Sequence, residues 1–299
     1  MKIPALILAV VVALQTQIRV GVDAVRVDVL VTDGARPIPN LIADDFEVRD
    51  SGVVQTIESV TVADVPISMM IALDNSSSVS GKVLQELKQG VGEAAAMLQP
   101  VDRAALITFS TEIRLATDWD GDFAQLSAAV ERLSAGGGTA LWDAAFAALA
   151  FPDEKPTVRR LVLMFSDGSD TSSWLSRAAV IDKARRTDAV VYGVEIRDRP
   201  TSSLTQSVQN RSGVQQFAHE APDQGTFLDE LSNVSGGTTF HVGDASDLRK
   251  AFTRVLTEFR TRYLITYTAR GVERAGWHPI EVRLKTAKGK VTARRGYMR

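Results

Sequence analysis

The sequence predicts an α/β fold: a doubly wound, mostly parallel sheet inserted in a small antiparallel β domain that both termini build. Three observations predict it. The middle of the chain alternates short, continuously apolar runs with segments of helical periodicity, the pattern of buried strands covered on both faces by helices. Both ends instead alternate apolar and polar residues, as half-buried antiparallel strands do. Two of the central apolar runs stop in an acid, at Asp74 and Asp167, at the strand ends where open α/β sheets bind ligands.

Lys2 precedes an apolar stretch over 3–14 that turns polar at Gln15. It is shorter than the roughly 20 residues that span a bilayer, and it has the length of a secretory signal core. Val11-Val12-Ala13 offers compact residues for cleavage after Ala13. Residues 1–14 are read as a signal peptide, cleaved or kept as an anchor, and the protein is expected to be secreted or in the periplasm or cell envelope. No later stretch is long and apolar enough for a transmembrane helix.

In 25–33, Val25, Val27, Val29 and Val31 share one face and Arg26, Asp28 and Thr32 the other, with Leu30 the exception. Asp33-Gly34 and the prolines at 37 and 39 supply turns, and 46–49 and 55–62 alternate again. A helix over 83–98 carries Leu84, Leu87, Val91 and Leu98, is interrupted at Gly90 and stops before Pro100. A strand over 104–109 follows. Phe123, Leu126, Val130 and Leu133 mark a second helix, 142–150 a third, 161–165 a strand, 176–188 a helix and 189–196 a strand. A last helix after Ser246 aligns Leu248, Ala251, Phe252, Val255, Leu256 and Phe259. Strands over 263–268, 280–286 and from 291 onward close the chain, with Lys288-Gly289 read as a hairpin turn. The expected division is a β arm at 22–63, an α/β domain at 64–262 and a second β arm at 263–299. The polar stretch 197–225, rich in Ser, Gln and Thr, leaves a strand's C-terminal end, and loops of that length are usually functional or disordered.

Composition excludes several classes. The chain has 299 residues, 45% hydrophobic and 23% charged, enough for one large or two small globular domains. A net charge of −2 argues against a nucleic-acid partner bound by bulk electrostatics. With no cysteine there are no disulfides, thiolate metal sites or cysteine nucleophiles.

The apolar run through Leu73 ends in Asp74-Asn75-Ser76-Ser77-Ser78. Asp74, Ser76 and Ser78 are two apart, so an extended loop aims them the same way. One carboxylate and two hydroxyls form an oxygen-only set suited to Mg²⁺ or Mn²⁺. Ser-Ala-Gly-Gly-Gly-Thr over 134–139 brings Thr139 on a pliable glycine loop, and 161–170 ends a second apolar strand in Ser-Asp-Gly-Ser-Asp. No glycine loop here is followed by the Gly-Lys-Ser/Thr of a P-loop, and there is no Gly-x-Ser-x-Gly elbow. His219, His241 and His278 have neither triad context nor zinc spacing and read as loop or strand-edge residues. The enzymatic alternative is a Mg²⁺-dependent phosphoryl hydrolase with Asp74 as nucleophile, although the hydroxyl-rich set supplies few general acids or bases. Arg103 and Lys82 read as solvated charges, and of the four tryptophans only Trp174, in a Ser-rich loop, reads as a contact residue.

These segments resemble the von Willebrand factor A domain. DNSSS, GGGTALWDA and FSDGSD match the three parts of that family's metal-ion-dependent adhesion site, and VDRAALITFS resembles the strand after its first helix. The resemblance implies the A-type, Rossmann-like version of the doubly wound sheet, with Asp74, Ser76, Ser78, Thr139 and Asp167 as the coordinating set, some acting through water. LIADDFEVRDSG, RYLITYTA and TARRGYMR resemble a bacterial secreted group of related proteins in which both ends build one β domain. The implied function is adhesion, not catalysis. A partner's Asp or Glu would complete the coordination of Mg²⁺ or Mn²⁺, with Trp174 and the 197–225 loop at the rim, no nucleic-acid partner and no transmembrane helix in the mature chain. A structural role in the cell envelope with a stabilising metal is the third alternative.

Overall fold

The structure is a computed structural model that describes residues 24–34, 36–62, 65–119, 122–153, 158–196, 226–243, 247–286 and 288–299. The signal segment and the 197–225 loop lie outside the described residues.

The chain opens with β1 (Ala24–Asp33), β2 (Arg36–Pro37), β3 (Phe46–Asp50), β4 (Val53–Gln55) and β5 (Ile57–Val62). The central part runs β6 (Ile67–Asp74), α1 (Lys82–Ala96), β7 (Arg103–Phe109), β8 (Ile113–Thr117), α2 (Phe123–Glu131), α3 (Leu141–Ala150), β9 (Arg159–Ser166), α4 (Arg177–Arg185), β10 (Val190–Ile196), α5 (Phe227–Ser235), β11 (Thr239–Val242) and α6 (Leu248–Arg260). It closes with β12 (Tyr263–Thr268), β13 (Trp277–Leu284), β14 (Lys290–Thr292) and β15 (Gly296–Met298).

The central strands form one sheet in the order β11-β10-β9-β6-β7-β8, parallel except for the edge strand β8. Every residue of β6 is buried, because both faces are covered. Met69, Ile71 and Leu73 face a core shared with α1, α2 and α6, whereas Met70 and Ala72 face the core of α3, α4 and α5. A strand buried twice has no polar face to alternate, which is why it reads as a continuous apolar run. No helix among the described residues is long and apolar enough to cross a membrane.

The flanking strands form two antiparallel sheets, β14-β1-β12-β5 and β15-β13-β3-β4, each joining strands from both ends of the chain. Val27, Val29, Phe46, Val48, Ile265 and Tyr267 make one apolar cluster between them.

Four details differ from the sequence reading. Lys288-Gly289 does not turn a hairpin: β14 pairs with β1, while β13 pairs with β3 and β15, so the segment changes sheets. Helix α4 ends at Arg185, capped by Arg186, and leaves 186–188 outside it. Gly90 does not interrupt α1, which is continuous; a Cβ there would lie 2.7 Å from the Phe252 ring on α6, so the glycine admits the neighbouring helix. The second face of β1 is covered as well: Asp28 and Leu30 are both buried. Asp28 accepts from Arg159 Nε at 2.7 Å, and Arg26 donates to the carbonyl of Val158 at 2.9 Å. Arg262, fully buried, donates to Tyr192 Oη at 2.9 Å and to the Gly236 carbonyl at 2.6 Å. These arginines join β1 and the start of β12 to the central sheet.

Candidate functional site

The carboxyl ends of β6 and β9 lie side by side, paired from Ile67↔Arg159 through Leu73↔Phe165. Asp74, the last residue of β6, is completely buried. Its Oδ1 accepts from the Ser76 amide at 2.8 Å and its Oδ2 from the Ser166 hydroxyl at 2.7 Å. The Ser76 and Ser78 hydroxyls are 3.0 Å apart; a turn, closed by the Val79 amide donating to the Ser76 carbonyl at 3.1 Å, brings them together in place of the expected extended loop. Burial pushes the Asp74 carboxyl above the usual carboxylate range, and the negative charge of Asp167 pushes it further; hydrogen bonds from Ser76 and Ser166 oppose the shift. No basic group is among the causes of that shift.

The three loops are sewn together by their backbones. Asn75 accepts from the Gly136 amide at 2.8 Å, and the Ser77 amide and hydroxyl donate to the Gly137 carbonyl at 3.1 and 3.0 Å. The Thr139 amide donates to Thr171 Oγ1 at 2.9 Å, while its carbonyl accepts from the amides of Thr171 and Ser172 at 2.9 and 3.0 Å. Gly137 has φ +84°, and an added Cβ would sit 2.8 Å from Thr111 Oγ1, so the loop requires glycine there. Gly168, also at φ +84°, leaves no room for a Cβ beside Glu195. Thr139 is buried and Asp167 half-buried, whereas Ser78 is exposed. Of the five residues of the expected set, Asp74, Ser76 and Thr139 are thus buried, and Ser78 is the one that is exposed.

Trp174 stands 96% exposed on the loop after Asp167. Asp143, from the first turn of α3, accepts from the amides of Trp174 and Leu175 at 2.9 and 2.8 Å and so holds that loop.

Two features escaped the sequence reading. Ser166 both donates to Asp74 and accepts from the Gly168 amide at 3.1 Å; its only signal was its place directly before Asp167. Glu195, Asp229 and His241, from β10, α5 and β11, form a second cluster whose ligand atoms all lie within 4.8 Å of one another. His241 lies on the edge strand β11, as read, and reaches Asp229 at 2.9 Å and Glu195 at 3.3 Å, so it also belongs to a polar cluster. Likewise His278 is buried in β13, with Nδ1 3.0 Å from Asp50.

A doubly wound sheet whose strand-end crevice gathers acids and hydroxyls defines an α/β protein with an oxygen-lined binding crevice. Residues 69–169 match the family model of the von Willebrand factor type A domain, and Asp74, Ser76, Ser78, Thr139 and Asp167 all fall within the matched stretch. No curated protein matches the chain. Among solved structures, a von Willebrand factor type A protein from Catenulispora acidiphila aligns with TM-score 0.52 at 15% identity, over 86% of this chain and 73% of that one. Proximal thread matrix protein 1 from the mussel byssus, in a form with a zinc-occupied MIDAS motif, aligns with TM-score 0.53 at 15% identity over 71% of this chain. The chain spans half the length of that mussel protein. At these identities the likeness concerns the fold.

Proposed function

We propose that the protein is a divalent-metal-dependent adhesion module in which Asp74, Ser76, Ser78, Thr139 and Asp167 hold Mg²⁺ or Mn²⁺. One observation carries the reading. Among the described residues, a fully buried carboxylate has hydroxyls and an amide hydrogen-bonded to it and a second carboxylate acting on it, and no basic group contributes to its shift. Buried charge of one sign is costly without a counter-ion, and hard oxygen donors suit a hard cation. When bound, the metal supplies a Lewis-acidic centre. The chain's own contribution is to hold the hydroxyls and acids in place through the interlocked loops and to leave the solvent side open.

With few formal charges around it, the cation stays attractive to an Asp or Glu presented by a protein partner. Trp174, exposed at the rim, would then contact that partner, as exposed aromatics commonly do at interfaces. The two antiparallel sheets are read as one β domain built from 22–63 and 263–299, with 64–262 inserted between. The protein is read as exported, with residues 1–14 as its signal.

The test is a titration of the purified protein with Mg²⁺ and Mn²⁺, beside Asp74→Ala and Thr139→Ala. Both variants should lose at least about tenfold in metal affinity, as changes at metal-site partners commonly do; equal affinity in all three proteins would remove the site. Partner binding that persists in excess chelator would remove the metal-bridged mechanism. Turnover of phosphoesters lost in Asp74→Ala would replace adhesion by hydrolysis. A melting temperature that falls on chelation while association stays unchanged would leave the metal a structural role.

A further inference from the structure

The opposite end of the central sheet carries a cleft of about 430 Å³, where β9 and β10 begin against β1 and β15. Arg26, Arg160, Arg185, Arg186, Arg294 and Arg299 line it, with Asp188 as the one acid among its lining residues. Several of these guanidinium groups donate to main-chain carbonyls, and Arg160 donates also to Thr187 Oγ1 at 3.3 Å. Arg26 donates to Val158 at 2.9 Å, Arg160 to Phe151 at 3.0 Å, and Arg294 to Gly296 at 2.8 Å and Arg185 at 3.2 Å. Arg26 pairs with Asp188 at 3.9 Å, and Arg186 with Asp182 at 2.8 Å.

Carbonyls orient guanidinium groups without neutralising them. With six arginines and one aspartate among its lining residues, the cleft carries a positive balance of side-chain charge in a protein whose net charge is −2. Burial lowers the affinity of the Arg294 guanidinium for its proton, so the fold bears a desolvation penalty there. An anion from outside would offset that penalty. Guanidinium forks match the oxygens of a phosphate, and several converging forks favour a multiply charged anion over a lone carboxylate.

We propose that this arginine-lined cleft binds a phosphate group, carried by a soluble phosphate ester or by an anionic phospholipid headgroup. The proposal stands apart from the metal site, at the other end of the sheet.

The experiment titrates the full chain with inorganic pyrophosphate in excess chelator, which silences any metal-bridged binding. Wild type should bind saturably. Arg160→Gln and Arg186→Gln should each weaken binding about fivefold or more, and together about twentyfold, with melting temperatures confirming folded protein. Arg114→Gln, on the edge strand β8, should bind like wild type. Vesicles of phosphatidylglycerol in phosphatidylcholine that compete with pyrophosphate identify the lipid source; vesicles that do not compete, with pyrophosphate binding intact, identify the soluble one. Absence of saturable binding to both probes overturns the proposal. So does binding unaffected by the cleft variants, or weakened equally by Arg114→Gln.

Discussion

Asp74 concentrates the electrostatic tension of the crevice. Its folded carboxyl lies above the value of 3.8 it has when free, because burial and Asp167 disfavour its charge. A raised carboxylate stabilises the fold most at low pH and loses that contribution as pH rises through the folded value. The contribution of Asp74 to the stability of the metal-free protein should therefore grow as pH falls from neutrality toward 3.8. Asp74→Asn, which carries no charge to bury, should melt higher than metal-free wild type at pH 7, with the gap closing at low pH; excess Mg²⁺ should reverse the order. Thermal melts across pH, with and without metal, measure this, and a variant less stable than wild type at neutral pH in chelator would contradict it. Gly168 makes a second prediction. Its φ of +84° and the Glu195 carboxylate 2.6 Å from an added Cβ mean that Gly168→Ala should cost about 1–3 kcal/mol in denaturant melts.

At the scale of elements, the α1–α6 contact shows packing overruling propensity. In an exposed helix, Gly→Ala stabilises by roughly 1 kcal/mol. At Gly90 the added methyl would meet Phe252, a fully buried ring stacked with Phe165 at 6.4 Å. Gly90→Ala should thus destabilise by about 1–3 kcal/mol, and Phe252→Leu should relieve part of that in the double variant. Urea melts of the four proteins of this cycle decide the point; independent effects would refute the contact. The same helices show what periodicity reveals. Leu84, Leu87 and Val91 announced the buried stripe of α1 correctly, but a glycine in that stripe looks like a break until its neighbour is known. Strand β8 went unread because an exposed edge strand has little apolar signal; the pair α5–β11 went unread as well.

For the whole molecule, the joint between the flanking sheets and the central sheet rests on buried charge. Asp28 on β1 and Arg159 at the start of β9 are both buried and hydrogen-bonded, and Arg159 also stacks on Phe259 at 4.5 Å. Removing one partner leaves the other charge buried alone. Asp28→Ala should therefore cost about 3–5 kcal/mol, while Asp28→Leu with Arg159→Met should be far less damaging than either single change. Equilibrium unfolding of the single and double variants measures the coupling, and additive losses would show that the pair does not form.

The sequence by itself determined the doubly covered sheet and the placement of Asp74 and Asp167 at the ends of apolar strands; that those strands are neighbours and that a turn joins Ser76 to Ser78 came only with the structure. The first two follow from local periodicity, which neighbours in sequence are enough to set. Tertiary structure alone decided that Ser166 supports Asp74, that β14 leaves β13 to pair with β1 and that Asp28 finds Arg159. It also gathered Glu195, Asp229 and His241 into one cluster, and six arginines into one cleft. In each case the partners lie on different elements, and which of many possible neighbours meets a side chain is set by how the layers pack, a choice that periodicity within a single element does not encode.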